Sequence, residues 1–446
     1  MASVLSTSLA PRGRPRYRIR VWIAATTATM LLTGSGVLGG GVAAGSPLGD
    51  PTVISHWNLV AQATLLGDIT KKPQEHFVYL SFLNIAMYDA VVGIHGRYHP
   101  FSLHARPPRG ASDEAAVAAA AHHVLETYSP YAQVALDTAY ANALAAIPDG
   151  QSKTDGIAYG LLSANSIIAL RANDGRNANI TYNKAPGPGV WRPTPPANLP
   201  MFVPWLGAVT PLVIRSGAQF GEPGLPYSLT SRKYTREFNE VKRMGGNAAT
   251  GSARTPDQTA TALFFSGNAQ VQYTGALIDQ AAIRHLDIVK TARLFAAVNT
   301  SLADALISVW HAKLLYGFWR PITAINLANT DGNPDTVANA TWVPLLTTPA
   351  YPDFVSGYSG VTGAFTRSLQ KALGTGDLDL TLSSTAVVGA TRQFDQARTL
   401  NNAVINARIW LGIHFRSADV AGVKMGQRAA SWVLNHAFQP IDDDDD

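Results

Sequence analysis

The sequence of 446 residues contains no cysteine. That absence excludes a disulfide framework, a thiol nucleophile and any thiolate-ligated zinc or iron–sulfur centre. Charge is also scarce: 15% of residues are charged and 46% hydrophobic, a balance that excludes a disordered chain. The first 44 residues hold no acid, yet carry Arg12, Arg14, Arg16, Arg18 and Arg20. Without those five arginines, 30 basic groups face 30 acidic ones, and the formal charge of +5 disappears. A nucleic-acid binder keeps a basic footprint in its folded part, so nucleic acid is not expected as a partner. Five of the acids are the tail Asp442–Asp446, and residues 45–441 therefore hold 30 basic against 25 acidic groups.

The two ends read as separate from the body. The Arg-rich start is followed by the apolar run Val21–Leu32, glycines between Gly34 and Gly41, and the small residues Val42-Ala43-Ala44. This is the pattern of a signal peptide over residues 1–44, which implies a secreted or cell-envelope protein with no stable membrane insertion after cleavage. An uncleaved anchor is the alternative, weakened by the glycines. Gly34-Ser35-Gly36-Val37-Leu38-Gly39 matches a dinucleotide-binding pattern, but it lies inside the signal without a preceding strand. The end, residues 438–446, reads as an acidic tail.

Between the ends, apolar residues recur at helical period. Helices are expected, among others, at Phe77–Val92, Asp113–Tyr128, Tyr131–Ile147, Lys153–Ala172, Arg284–Ala297, Ser301–Phe318, Ser359–Ala372, Ala386–Leu411 and Asp419–His436. Thr255-Pro256-Asp257-Gln258 marks a further helix start. Alternating strands are scarce, so the expected class is all-α, built of packed helical bundles with long Pro-rich loops. Ten prolines between Pro186 and Pro226 make residues 183–228 an irregular segment. It separates or links an N-terminal helical half (45–250) and a C-terminal half (251–437). A second irregular stretch, Thr330–Val355, lies where chemistry tends to sit.

Three pieces of the C-terminal half carry chemistry together. In Lys313-Leu-Leu-Tyr-Gly-Phe-Trp319-Arg320-Pro321, the seven-residue spacing would bring both cations, with Tyr316, to one helical face; a solvated surface pair is the alternative. Tyr351-Pro352-Asp353-Phe354-Val355-Ser356-Gly357-Tyr358-Ser359-Gly360 leads into a helix start, where free N–H groups, the Ser356 hydroxyl and the close approach allowed by Gly357 suit an anion. A plain N-cap would look the same. Neither serine fits a nucleophile elbow. In Arg408–Asp419, Gly412 is a natural helix stop. His414 falls just beyond it, and Ser417 or Asp419 can cap the next helix. Three cations, a hydroxyl, a glycine and an imidazole suit phosphate or vanadate, with arginine holding oxygens bidentately.

These pieces resemble the vanadium-dependent haloperoxidases, which share a helical fold and anion site with the type-2 phosphatidic acid phosphatases and bacterial acid phosphatases. The family pattern is a Lys, six residues, then Arg-Pro; a Pro-Ser-Gly-His; and a Ser-Arg, five residues, then His. It falls on Lys313, Arg320 and Pro321; on Val355, Ser356, Gly357 and Tyr358; and on Ala407, Arg408 and His414. The resemblance covers roughly residues 300–430 and extends more weakly toward the N-terminal half, in the manner of secreted bacterial members. It implies that Lys313, Arg320, Arg408, Ser356 and the Gly357 N–H hold the oxygens of a vanadate cofactor, with phosphate as competitor, and that His414 ligates vanadium. It further implies hydrogen peroxide, a halide and a small organic molecule as reactants, with Lys313 polarising the peroxide.

The departures bear on turnover. Tyr358 stands where the family has its acid–base histidine, and a phenol with a pKa of about 10 is a poor proton shuttle at neutral pH. Ala407 and Val355 replace the motif serine and proline, and the trailing acid is Asp419, five residues after His414. Two other readings stay open: a phosphomonoesterase with His414 as nucleophile, and a non-catalytic oxyanion-binding envelope protein.

Overall fold

The computed structural model describes residues 48–221 and 226–441. The expected signal segment 1–44 and Asp442–Asp446 lie outside the described residues. The described residues form one compact unit, and their architecture is all-α apart from one hairpin. The helices are α1 (Thr52–Gly67), α2 (His76–His95), α3 (Asp113–Tyr128), α4 (Gln133–Ala145), α5 (Gln151–Leu170), α6 (Arg232–Met244), α7 (Pro256–Phe264), α8 (Ala269–Ile283), α9 (Ile288–Tyr316), α10 (Pro321–Asn326), α11 (Gly357–Leu373), α12 (Ala397–Trp410) and α13 (Arg416–His436). Strands β1 (Asp377–Ser383) and β2 (Thr391–Gln396) pair antiparallel between α11 and α12.

Two helices form the spine. α2 and α9 are long and apolar enough to cross a membrane by length and composition, but 89% and 94% of their most apolar windows are buried inside the protein. That makes them core helices, apolar all round because neighbours cover every face. The largest core cluster runs from Ile54 to Phe438 and draws on both halves of the chain. Phe438, just past α13, still belongs to it and packs on Tyr88 and Phe101.

The structure departs from the sequence reading in three elements. Arg284–Ala297 and Ser301–Phe318 are not two helices but parts of α9. The polar run Asn299-Thr300-Ser301 does not interrupt it, because Ser301 Oγ donates to Ala297 O at 2.7 Å within the helix. The expected helix Ala386–Leu411 begins only at Ala397, and its first part is β2. Its partner β1, Asp-Leu-Asp-Leu-Thr-Leu-Ser, alternates exposed and buried residues with Leu378, Leu380 and Leu382 inward, a period-2 signal too short to stand out beside the helices. Finally, α13 starts at Arg416 with Phe415 as its N-cap residue. Ser417 and Asp419 therefore do not cap it. The Thr255 start, by contrast, is a complete capping box with Gln258.

Among its described residues, the Pro-rich segment 183–228 is an irregular strap with one short 3-10 turn, Pro204–Ala208. It is pinned by backbone donors. Leu212, Val213 and Ile214 N–H groups donate to the buried Asp304 carboxylate at 2.7, 2.9 and 2.9 Å. Trp191 N–H donates to Gly317 O at 2.7 Å and Phe202 N–H to Ala350 O at 2.8 Å. The strap thus grips both α9 and the loop that enters α11.

α11 and α13 pack backbone to backbone through glycine. A Cβ on Gly422 would meet Ser356 O at 2.6 Å; one on Gly363 would strike Val423 O, and one on Gly426 would strike Gly360 O. This contact sets the start of α11 beside the start of α13. Gly422→Ala should therefore destabilise the protein by about 1–3 kcal/mol, the usual cost of overpacking, read as a lower urea midpoint. It should also weaken anion binding, because Ser356 must move.

Candidate oxyanion site

Lys313 sits in the last turn of α9 and Arg320 at the N-cap of α10, both fully buried. They do not share one helical face, as the seven-residue spacing suggested. α9 stops at Tyr316, Gly317 turns the chain in the left-handed region (φ +58°), and Arg320 returns on a new element. The two cations meet through the turn. Lys313 Nζ donates to Pro352 O at 2.6 Å and Asp353 O at 3.2 Å. Arg320 Nε donates to Tyr351 O at 2.7 Å and Nη1 to Ile413 O at 2.6 Å. The Tyr351 ring faces both, 4.9 Å from Nζ and 4.8 Å from the guanidinium carbon. The loop carbonyls thus grip the bases of the cations while Nη2 of Arg320 keeps no protein partner.

Ser356 is the N-cap residue of α11 and Gly357 its first residue. Both are buried, and Ser356 N–H is fixed on Ala418 O at 2.9 Å. A Cβ on Gly357 would meet the Trp310 ring at 3.1 Å, so the glycine allows the helix start to approach α9 closely. Arg408 occupies the last turn of α12, buried; its Nη1 donates to Phe265 O at 3.0 Å and its Nε has no protein partner. Past α12, Gly412 adopts φ +78°, and a Cβ there would strike Gly245 O. This left-handed turn delivers His414 to the cluster.

His414 is buried and its Nδ1 lies 2.8 Å from Asp353 Oδ1. That pairing assigns the proton to Nδ1 and the lone pair to Nε2. Burial, with Arg320, Lys313 and Arg408 adding to it, holds the imidazole well below its ordinary pKa, so it is neutral at pH 7. Nη1 of Arg320 lies 3.1 Å from Nε2. The acid that orients His414 is therefore Asp353. Asp419, the trailing acid in the sequence, accepts from Ser359 Oγ at 2.8 Å instead. Burial pushes its carboxyl up to about 7, against the pull of the Ser356 and Ser359 hydroxyls and Arg408. Burial also raises Asp353, against the pull of Arg320 and Lys313. Lys313 is depressed well below its usual range by burial first and by Arg320 second. Three buried cations thus compete with two acids, and each cation carries a desolvation cost.

Tyr358, in the first turn of α11, is half-buried and belongs to the same cluster. Its ring lies under Arg408, 4.8 Å from the guanidinium carbon, and its hydroxyl donates to Gln272 Oε1 at 2.5 Å. Burial raises the phenol further above its ordinary value. Tyr358 is therefore a fixed donor already engaged with α8. Outside it, a cavity of about 300 Å³ is bordered by Tyr351, Gly357, Tyr358 and Arg408 on one side and by Phe77, Leu346 and Pro349 among others.

All seven residues expected at the site, Lys313, Arg320, Ser356, Gly357, Tyr358, Arg408 and His414, are in the region where α9, α11, α12 and the loop 351–356 meet. Two more were not foreseen in their roles. Asp353 was visible as the acid beside Pro352, but only the fold shows it against His414. Gln272 lies 86 residues before Tyr358 and carries no motif at all. His311 sits against Gly207 and Gly217 of the strap, apart from the cluster.

The geometry agrees with comparisons to known proteins. Residues 293–443 match the family model described as the VCPO second helical-bundle domain. The structure is similar to that of a bacterial vanadium-dependent iodoperoxidase, with TM-score 0.74, 23% identity, and coverage of 87% of this chain and 97% of that one. It is also similar to holo-type and apo-type bacterial vanadium-dependent chloroperoxidases, with TM-scores 0.65 and 0.66, identities of 16% and 15%, 82% and 85% of this chain covered, and 92% and 96% of theirs. At these identities the likeness is one of fold. No curated protein matches the sequence. Residues 293–443 thus match the second helical-bundle domain of that family model, and over most of its length the chain shares the helical fold of bacterial vanadium-dependent haloperoxidases.

Proposed function

We propose that the chain binds vanadate, or phosphate in its place, and works outside the cytoplasm as a haloperoxidase-type enzyme of low turnover. The observation that carries this is the burial of Lys313, Arg320 and Arg408 around a neutral His414, with Arg320 Nη2 and Arg408 Nε lacking protein partners. An unsatisfied buried donor costs on the order of 1–3 kcal/mol, more when charged. Two such donors in one cluster call for an acceptor that the protein does not provide, and a tetrahedral oxyanion provides several. Lys313, Arg320, Arg408, Ser356 Oγ and the Gly357 N–H would hold its oxygens, and Nε2 of His414 would hold the metal. When bound, vanadate would supply activation of hydrogen peroxide for oxidation of a halide.

The protein's own residues have separable parts in this. Asp353 fixes the His414 ring and keeps the lone pair on Nε2, where Arg320 Nη1 now lies at 3.1 Å and which the metal would take instead. Lys313, held by two carbonyls, presents charge without moving, and a bound anion would restore part of its depressed basicity. Tyr358 keeps the wall of the site polar but offers no proton relay at neutral pH, because its hydroxyl is raised and engaged with Gln272. A small organic substrate would reach the site through the cavity beside Tyr358.

Calorimetric titration with vanadate should show one site, and Arg408→Ala or Lys313→Ala should weaken it by about tenfold or more, the worth of a charged hydrogen bond. With vanadate, peroxide and bromide, the protein should brominate a phenolic dye slowly, His414→Ala should not, and Tyr358→His should be faster than wild type. Vanadate binding with no bromination in either wild type or Tyr358→His would leave a non-catalytic oxyanion-binding protein. Hydrolysis of p-nitrophenyl phosphate that vanadate inhibits would favour a phosphatase with His414 as nucleophile.

Asp419 gives a pH signature. Its folded pKa of about 7 lies above the ordinary value of 3.8, so between those values the folded protein binds more protons than the unfolded chain. Its contribution to stability is complete below pH 4 and is lost as pH rises through 7, at up to roughly 1.4 kcal/mol per pH unit. Asp419→Asn should flatten the fall of the thermal midpoint from pH 4 to 7.

A further inference from the structure

Four titratable side chains converge where α3 meets α4, apart from the oxyanion site. His122, His123 and Glu126 lie within two turns of α3, and Asp137 faces them from α4. His122 Nε2 is 2.8 Å from Asp137 Oδ1, and its Nδ1 is 3.9 Å from Glu126 Oε2. One ligand atom from each of His122, Glu126 and Asp137 lies within 4.8 Å of the others. Ligand atoms around a zinc-type ion with bonds of about 2.0–2.2 Å sit roughly 3.5 Å apart, so with His122 ligating through Nε2, Glu126, which now faces Nδ1, has to swing toward Asp137 to close the set.

The surroundings favour a cation. His122 and Glu126 are four apart on α3 and share its face. His123 Nδ1 holds the other Glu126 oxygen at 2.6 Å and its Nε2 reaches Asn165 Oδ1 at 2.9 Å. The Tyr140 ring stacks on His122, with centroids 4.5 Å apart and planes at 17°. These contacts orient two of the three ligands from behind, as outer partners do in metal sites. Among the described residues, no lysine or arginine pairs with Glu126 or Asp137. Two carboxylates therefore face only imidazoles, which is the charge deficit that a divalent ion removes. Asp137 is half exposed, which leaves room for water to complete the sphere.

We propose that His122, Glu126 and Asp137 form a binding site for a divalent metal ion of the zinc type, bridging α3 and α4. One imidazole with two carboxylates suits such an ion and, with no thiolate, disfavours softer ones. The bridge has a clear structural use. α4 fully buries only Leu136, with Ala139, Tyr140, Ala143 and Leu144 partly buried against the core, so a metal clamp would add to a modest apolar contact. The site shares no residue with the oxyanion cluster.

The test is equilibrium dialysis of the full chain against zinc, with bound metal measured by atomic absorption, together with thermal unfolding and limited proteolysis with and without zinc. The expected result is one zinc per chain, a higher thermal midpoint and slower cleavage around α4. Asp137→Asn, at an exposed carboxylate, and Glu126→Gln should each lower zinc affinity at least about tenfold and remove the thermal gain. Wild type retaining no zinc, or Asp137→Asn retaining it undiminished with the same thermal gain, would overturn the proposal.

Discussion

Everything near the candidate site follows from the cost of keeping three cations out of water. Lys313, Arg320 and Arg408 are buried, and charges so placed persist only where oxygens replace their hydration. The protein supplies some of these from backbone carbonyls: Pro352 and Asp353 for Lys313, Tyr351 and Ile413 for Arg320, Phe265 for Arg408. Each comes from a loop, because a carbonyl inside a helix is already bonded. The site therefore requires irregular chain in a buried setting, which the 330–355 stretch and the turns after α7 and α12 supply, while the Pro-rich strap holds the first of these through Phe202 N–H on Ala350 O. They are ordered because side chains and backbone groups pin them, as the Asp304 carboxylate does for residues 212–214.

The rigid helices then fix distances that loops alone would leave loose. α9 delivers Lys313, and the glycine contact of α11 with α13 holds Ser356 against Gly422. The left-handed turns at Gly317 and Gly412 do complementary work: each ends a helix and redirects the chain so that Arg320 or His414 faces inward. A β-carbon is costly at each of these glycines for a different reason: close backbone contact at Gly422, strained dihedral angles at Gly317, and both at Gly412.

Legibility in the sequence tracks the range of the determining interaction. Helix existence was plain for α2, α3, α5 and α13, whose apolar pattern is local. The three motifs were legible because spacing within each is short. Their assembly was not: Lys313 and Arg320 look like helical neighbours by count, yet the helix ends between them. The partner of His414 was not legible for the same reason. Asp419 is near in sequence, whereas Asp353, 61 residues away, is near in space. Gln272 could not be found at all, since a glutamine on α8 becomes informative only when Tyr358 points at it. The hairpin escaped notice because β1 spans 7 residues, too few for its alternation to outweigh the helical periodicity around it.

The altered motif positions fall into two physical kinds. Val355 and Ala407 are fully buried and exchange a ring or a hydroxyl for plain apolar volume, a change that packing absorbs at little cost to the cation cluster. Tyr358 is different in kind. It keeps a donor at the position but directs it to Gln272, whose Nε2 donates in turn to Ser383 O at 3.0 Å at the end of β1. The phenol is thus tied to the hairpin and not to a mobile proton. On the proposed reading, binding of an oxyanion would depend on Lys313, Arg320, Arg408 and the α11 start, which keep their donors although the Tyr358 ring lies against Arg408, whereas proton transfer would depend on a group titrating near neutral pH at this one position. Under that proposal, affinity and turnover would rest on different residues, so the site could keep the first while losing most of the second.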